Sequence, residues 1–205
     1  MCTTKRANRH EGVLGYGAVR TRVIRSILLA AALAVPLVGS AFSDGAYGGF
    51  SGAPGEETCR HCHKSFPLNS GGGSLTIDGF PDVYATGETY HVTVTLASPT
   101  AVEWGFQATV LSGANSPVGK LLVTDREHTK IVPGIFKLER RYVEQKHAGH
   151  FEGQRDAASW TFDWRAPKKD KGAITIYASG NAGNGNDKPT GDFIYFVQRT
   201  SLPAA

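Results

Sequence analysis

Ser159-Trp160-Thr161-Phe162-Asp163-Trp164 is the stretch whose reading decides the fold. Three large aromatics alternate with Ser, Thr and Asp, a period of two that puts one apolar and one polar face on an extended segment. An amphipathic helix would instead repeat its apolar positions every three to four residues. Ala166-Pro167 ends the segment, since proline cannot donate to a sheet ladder. Toward the N-terminus the same alternation appears in Thr89–Leu96, where Val92, Val94 and Leu96 oppose His91, Thr93 and Thr95. Trp104–Leu111 places Trp104, Phe106, Ala108 and Val110 on one face. Shorter strand candidates are Ser74–Ile77, Lys120–Thr124 and the charge-rich Phe136–Val143. Toward the C-terminus follow Ala173–Ala178 and Asp192–Arg199. Between them lie polar or Gly-rich segments read as loops: 112–117, 125–133, 146–158, 168–172 and 179–191.

Seven or so short strands separated by turn signals, with no sustained 3.6-residue period, predict an all-β chain. The expected architecture is an immunoglobulin-like antiparallel β-sandwich. Its core candidates are Trp104, Phe106, Trp160, Phe162, Trp164, Tyr177 and Phe196.

The first 41 residues stand apart from this pattern. Arg20, Arg22 and Arg25 precede an apolar run from Ile27 to Val38, and Gly39-Ser40-Ala41 offers small residues for cleavage. That is the layout of a secretory signal peptide. The run is shorter than the roughly 20 residues of a transmembrane helix, so no membrane span is expected in the mature chain. The domain reading is a signal peptide over 1–41, a leader over 42–73 rich in Gly and Ser, a sandwich over 74–200 and a short tail over 201–205. Removing residues 1–41 takes six of the 22 Lys and Arg and one of the 18 Asp and Glu, leaving 16 basic against 17 acidic groups. The basic character of the whole chain therefore comes from its first 41 residues, and a nucleic-acid partner is not indicated. The remaining length suffices to bury a core without disulfides.

One motif in the leader carries a specific chemistry. Cys59-Arg60-His61-Cys62-His63 has the spacing of a c-type haem attachment site. In that reading Cys59 and Cys62 tether one covalent haem c, and His63 is the proximal iron ligand. The only methionine is Met1, which leaves bis-histidine ligation, a five-coordinate iron or an unusual ligand such as a Lys amine. The candidate histidines are His91, His128, His147 and His150, since His61 lies too close in sequence to His63 to reach the opposite face of the ring. Competing readings are a local disulfide, free thiols, or a metal site completed by histidines. A thiol–disulfide enzyme is disfavoured, because no helix pattern follows the pair to lower a thiol pKa. The oxygen-rich loop from Asn181 to Asp192 suits calcium, although Asn, Asp and Gly are also ordinary turn residues. No nucleophile–base arrangement or carboxylate pair is legible, so an enzyme is not expected. The leading functional expectation is an extracytoplasmic monohaem electron-transfer protein with an unidentified redox partner. The alternative is a binding or adhesion module in which Cys59–Cys62 is a structural disulfide.

The ordered motifs also carry a resemblance. Ser51-Gly52-Ala53-Pro54-Gly55, then a Cys, precede Gly87-x-x-Tyr90-x-Val92-x-Val94 and Trp104-Gly105-Phe106-Gln107. Phe162-x-Trp164-x-Ala166-Pro167 and Ala178-x-Gly180-Asn181-Ala182 with Gly191-Asp192 complete the set. This series resembles the Reeler domain, in the bacterial choice-of-anchor branch where Gly-Ala-Pro-Gly precedes Cys-x-x-Cys-His, and it covers about residues 51–200. The resemblance implies an extracytoplasmic, periplasmic or secreted, immunoglobulin-like sandwich and leaves the activity open. No C-terminal hydrophobic anchor is read before Ala205. The family's histidine after Tyr142-Val143 falls nearest His147, which makes His147, then His150, the expected distal ligand.

Overall fold

A computed structural model describes residues 44–135 and 139–205. The segment read as a signal peptide lies outside the described residues. Ten strands form in chain order: β1 (Ser74–Asp78), β2 (Val83–Tyr84), β3 (Thr89–Ser98), β4 (Glu103–Ser112), β5 (Lys120–Leu122), β6 (Thr129–Pro133), β7 (Arg141–Gln145), β8 (Asp156–Arg165), β9 (Ile174–Gly183) and β10 (Phe193–Pro203). They assemble into a four-stranded sheet, β1-β3-β8-β5, and a six-stranded sheet, β2-β10-β9-β4-β7-β6. Every pairing is antiparallel except the two-residue contact of β2 with β10, which sets Val83 beside Leu202. The expected all-β antiparallel sandwich is what the chain forms.

The deciding stretch sits at the centre of β8. Its partner β3 is in register with it, so Val94 faces Trp160 and Val92 faces Phe162 across the ladder. These side chains, with Trp164 and Leu96, meet Trp104, Phe106, Val110, Ile174 and Ile176 from the opposing sheet. Phe106 stacks on Trp160 with ring centroids 4.4 Å apart. Three buried indoles would each leave an N–H without water, and each finds a loop carbonyl. Trp104 Nε1 donates to Gln154 O (2.9 Å), Trp160 Nε1 to Gly149 O (2.8 Å) and Trp164 Nε1 to Val118 O (3.2 Å). A buried polar atom is retained when it has such a partner. Here the partners lie in loops, so the core aromatics also fix the chain between strands.

Several sequence expectations change. The polar segment 125–133 holds β6, a five-residue edge strand in which half-buried Lys130, Ile131 and Val132 follow one another without the alternation a hydrophobicity reading needs. β7 runs from Arg141 to Gln145, later than the expected Phe136–Val143, and 136–138 lie outside the described residues. The segment read as an exposed loop over 146–158 carries a 3₁₀ turn at Ala148–His150, buried at Gly149, and the first residues of β8. β9 continues to Gly183, five residues into the expected Gly/Asn loop, and β10 continues to Pro203. Tyr177 and Phe196 leave the core list. In β9 it is Ile174, Ile176 and Ala178 that are buried against the other sheet, so Tyr177, at the alternate position, faces outward, as does Phe196 opposite Ser179.

Candidate functional site

The outer face of the six-stranded sheet is not bare. Residues 44–73 cross it as a strap, and the polar outward side chains of the sheet hold it there. Gln107, in the middle of β4, is 2% exposed. Its Oε1 accepts the N–H groups of Gly49 (2.8 Å) and Phe50 (2.7 Å), while its Nε2 donates to Tyr47 O (3.1 Å) and Glu144 Oε2 (2.8 Å). Further along, the Glu56 carboxylate is fully buried and accepts from Arg140, the Tyr142 hydroxyl and Ser51 Oγ. Arg140 also donates to Pro54 O and Asn115 O. Breaking a buried pair of this kind by removing one partner leaves an uncompensated charge. Burial and the neighbouring Glu56 carboxylate hold the Tyr142 hydroxyl well above the usual phenol range.

Glu144 is the least comfortable member of the face. It is 1% exposed, and its Oε1 accepts no hydrogen bond. Lys130 Nζ lies 3.7 Å from that oxygen, and Gly45 is packed so closely that a Cβ there would meet the carboxylate. Burial pushes Glu144 up to about 7, with Gln107 and Lys130 opposing the rise. Asp44 is held below the usual carboxylate range by its hydrogen bond from Lys130.

The Cys-x-x-Cys-His segment is the middle of the strap. Cys59–His61 form a 3₁₀ turn capped by Thr58, whose side chain accepts the Arg60 N–H. The Cys59 N–H donates to Ser179 Oγ of β9 at 3.2 Å. Both thiols are free. Burial pushes the Cys59 thiol up to about 11, which keeps it in its unreactive protonated form, whereas Cys62 is exposed. His63 Nδ1 lies 2.6 Å from Asp192 Oδ2, and Asp192 Oδ1 accepts the Asn184 N–H. Beyond it Asn69 closes the free edge of β10, donating to Ile194 O (2.9 Å) and accepting the Phe196 N–H (2.7 Å). Phe66 stacks on Phe193 at 4.2 Å. An open strand edge is a template for unwanted pairing, and the strap covers this one.

The structure does not bring the expected iron ligands together. His147 belongs to the turn before β8, with its N–H on Asp44, and His150 Nε2 lies 3.7 Å from Glu103. His91 pairs with Asp163 at 2.8 Å on the outer face of the other sheet, and His128 pairs with Asp125 at 2.7 Å. Among the described residues no group of three or more His, Cys, Asp or Glu is gathered to hold a metal ion. The expectations of a covalent haem c on Cys59, Cys62 and His63, of a distal ligand at His147 or His150, and of an electron-transfer role are corrected accordingly. The physical reason is that these histidines are distributed over different elements and engaged there, while the Cys-x-x-Cys-His backbone serves as an anchor of the strap. The 181–192 loop is held by its own polar side chains. Asn184 and Asn186 donate to Thr190 O, and Asp192 receives His63 and Asn184, so these side chains close the loop on itself.

Between strap and sheet edge an open groove of about 590 Å³ is lined by Gly52, Glu57, Arg60, His61, Lys64 and Phe196, among others. Sequence reasoning missed Gln107, Glu144 and the Glu56–Arg140–Tyr142 group. Their one signal is positional: Gln107 and Glu144 are polar residues at the solvent-facing phase of central strands, where a covering segment turns them into buried ones.

No protein-family model matches the chain, and no curated protein matches it in sequence. Among solved structures it is similar to the Reelin-N domain of F-spondin, with a TM-score of 0.48 and 20% identity over 72% of this chain and 96% of that one. The human F-spondin reeler domain (fragment 1) gives 0.47 and 20%, over 68% and 94%. A cohesin module from a Clostridium perfringens family 33 glycoside hydrolase gives 0.45 and 10%, over 64% and 96%. The chain is an all-β, antiparallel sandwich resembling the Reeler domain of F-spondin. Among the described residues no helix is long and apolar enough to cross a membrane.

Proposed function

We propose that this chain is an extracytoplasmic binding or adhesion module, non-catalytic, in which oxidation joins Cys59 and Cys62, free thiols in this structure, into a structural disulfide that stiffens the strap. The observation that supports this is the division of labour within residues 44–73. The strap backbone is held by the buried side chains of Gln107, Arg140 and Ser179, and the His63 side chain is held by Asp192, while Arg60, His61 and Lys64 stay exposed around the groove. Exposed side chains on a fixed backbone bind with less ordering cost than side chains on a mobile loop. The two cysteines sit three positions apart on one 3₁₀ turn, with the Cys62 N–H on Cys59 O, so oxidation would close a short ring across that turn.

Purified from an oxidising compartment, the protein is expected to be colourless and folded. Cys59 and Cys62 should resist alkylation until reduced, and the melting temperature should fall on adding reductant. Visible absorbance that stays with the denatured polypeptide, or alkylatable thiols with a melt indifferent to reductant, would overturn the reading.

A further inference from the structure

A second surface, remote in sequence from the strap, has a composition of its own. The turn joining β8 to β9 carries exposed Lys168, Lys169 and Lys171. Arg165, at the end of β8, stands directly opposite Lys120 of β5, and both are exposed. Like charges placed opposite each other on a sheet face are unfavourable, so nothing in the fold itself rewards that pairing. The nearby carboxylates are largely engaged. Asp170 Oδ1 accepts the Gly172 N–H (2.7 Å) and lies 3.2 Å from the Tyr84 hydroxyl, and Asp82 pairs with Arg199 at 2.8 Å. Glu88 is exposed there too, and Asp163, two residues before Arg165 on the same strand, pairs with His91. Residues 42–205 hold 16 basic and 17 acidic groups, so this is a local cationic concentration on a chain without cationic excess.

Two aliphatic side chains border it. The Tyr84 hydroxyl accepts the Lys171 N–H at 3.1 Å and donates to Gly172 O at 3.0 Å, which ties the basic turn to β2. The residue before Tyr84 is Val83, in register with Leu202 of β10. Each is 55% exposed, and they are among the few large apolar side chains left in solvent.

We propose that this end of the sandwich is a peripheral docking face for an anionic lipid surface. A bilayer interface offers negative headgroups in one plane and an acyl boundary just beneath it, and binding combines electrostatic attraction with insertion of apolar side chains. Lys168, Lys169 and Lys171 supply the first, and Val83 with Leu202 supply the second; Arg165 and Lys120, on the outer face of the other sheet, add to the positive field around them. A soluble polyanion would use the cations and leave the aliphatic pair idle. The face goes beyond the strap reading: it uses no strap residue, and its failure would leave the thiol and colour tests above unaffected.

The test is co-sedimentation of the folded protein with phosphatidylcholine vesicles, with and without phosphatidylglycerol, alongside retention on immobilised heparin. Binding is expected on the anionic vesicles and not on the neutral ones. At about fivefold per lysine, K168Q/K169Q/K171Q should weaken it about a hundredfold. V83S/L202S should weaken vesicle binding about tenfold and leave heparin retention unchanged. Thermal melts of both variants check that these exposed substitutions leave the fold intact. No binding to anionic vesicles, undiminished binding by the triple variant, or indifference to V83S/L202S would each overturn the proposal, the last in favour of a soluble polyanion.

Discussion

Glu144 makes the stability of this protein depend on pH in an unusual direction. A carboxyl raised from an ordinary 4.5 to about 7 in the folded chain binds more protons folded than unfolded across that interval. Stability therefore falls as pH rises between those values. The contribution is fully present below 4.5, declines through about 7, and is gone above it. Between pH 5 and pH 8 the linkage amounts to about 2.5 kcal/mol. For a chain of this size that corresponds to about 5–10 °C in Tm. The perturbation is Glu144→Gln, which keeps the shape and the acceptor for Gln107 Nε2 but cannot ionise. Thermal melts of both proteins at intervals from pH 5 to pH 8 remove the contributions of every other group by difference. The variant should gain on the wild type steadily with pH, by the amount just given at pH 8 relative to pH 5. Asp44 acts with the opposite sign, losing stability as pH drops below the usual carboxylate range, so the acid limb below pH 4 should remain in the variant. Parallel Tm curves for the two proteins would refute the reasoning, because they would mean that Glu144 is as well solvated folded as unfolded.

Three further outcomes follow from the same contacts. Gln107→Leu leaves the Gly49 and Phe50 N–H groups without an acceptor, and should cost about 3 kcal/mol while speeding hydrogen exchange at those two amides and proteolysis within residues 44–58. Gly79→Ala should cost about 2–4 kcal/mol in chemical denaturation, because Gly79 has φ +76° and a Cβ would lie 1.9 Å from His91 O. Cys62→Ser should lower the stability of oxidised protein by about 2 kcal/mol, the entropy of a very short loop, and should not change that of reduced protein.

The sandwich was legible because its central strands are amphipathic in a way that only extended chain satisfies. Val92, Val94, Trp104, Phe106, Trp160, Phe162 and Trp164 alternate without exception and all become core. β6 was not, since half-buried Lys130, Ile131 and Val132 follow one another on a short edge strand and leave no alternation to detect. The misplacement of Tyr177 and Phe196 has another cause. Aromatic content argued for burial, but the phase of β9 and β10 is set by Ile174, Ile176, Tyr195 and Val197, which leaves Tyr177 and Phe196 on the outer side, where Phe196 packs near Gly52 of the strap.

The strap explains why a local motif and a fold reading parted company at Cys59–His63. The haem interpretation used what the five residues contain and what the compartment allows, both of which are local properties. What the residues do in the folded chain depends on β9 and on the 184–192 loop, about 120 positions away. The Cys59 N–H reaches Ser179, and His63 reaches Asp192, so the motif's backbone and its last histidine serve as strap anchors. A polar residue facing out from a central strand, such as Ser179 or Gln107, ordinarily needs no partner beyond water. When a Gly-rich leader lies over it, the same residue becomes buried and must be satisfied. The outward phase of β4, β7 and β9 reads Gln107, Thr109, Tyr142, Glu144, Ser179 and Asn181, a line of side chains able to accept or donate to backbone. That line, set beside a leader too poor in apolar residues to pack by itself, is the pattern from which a covering strap can be inferred in a sequence.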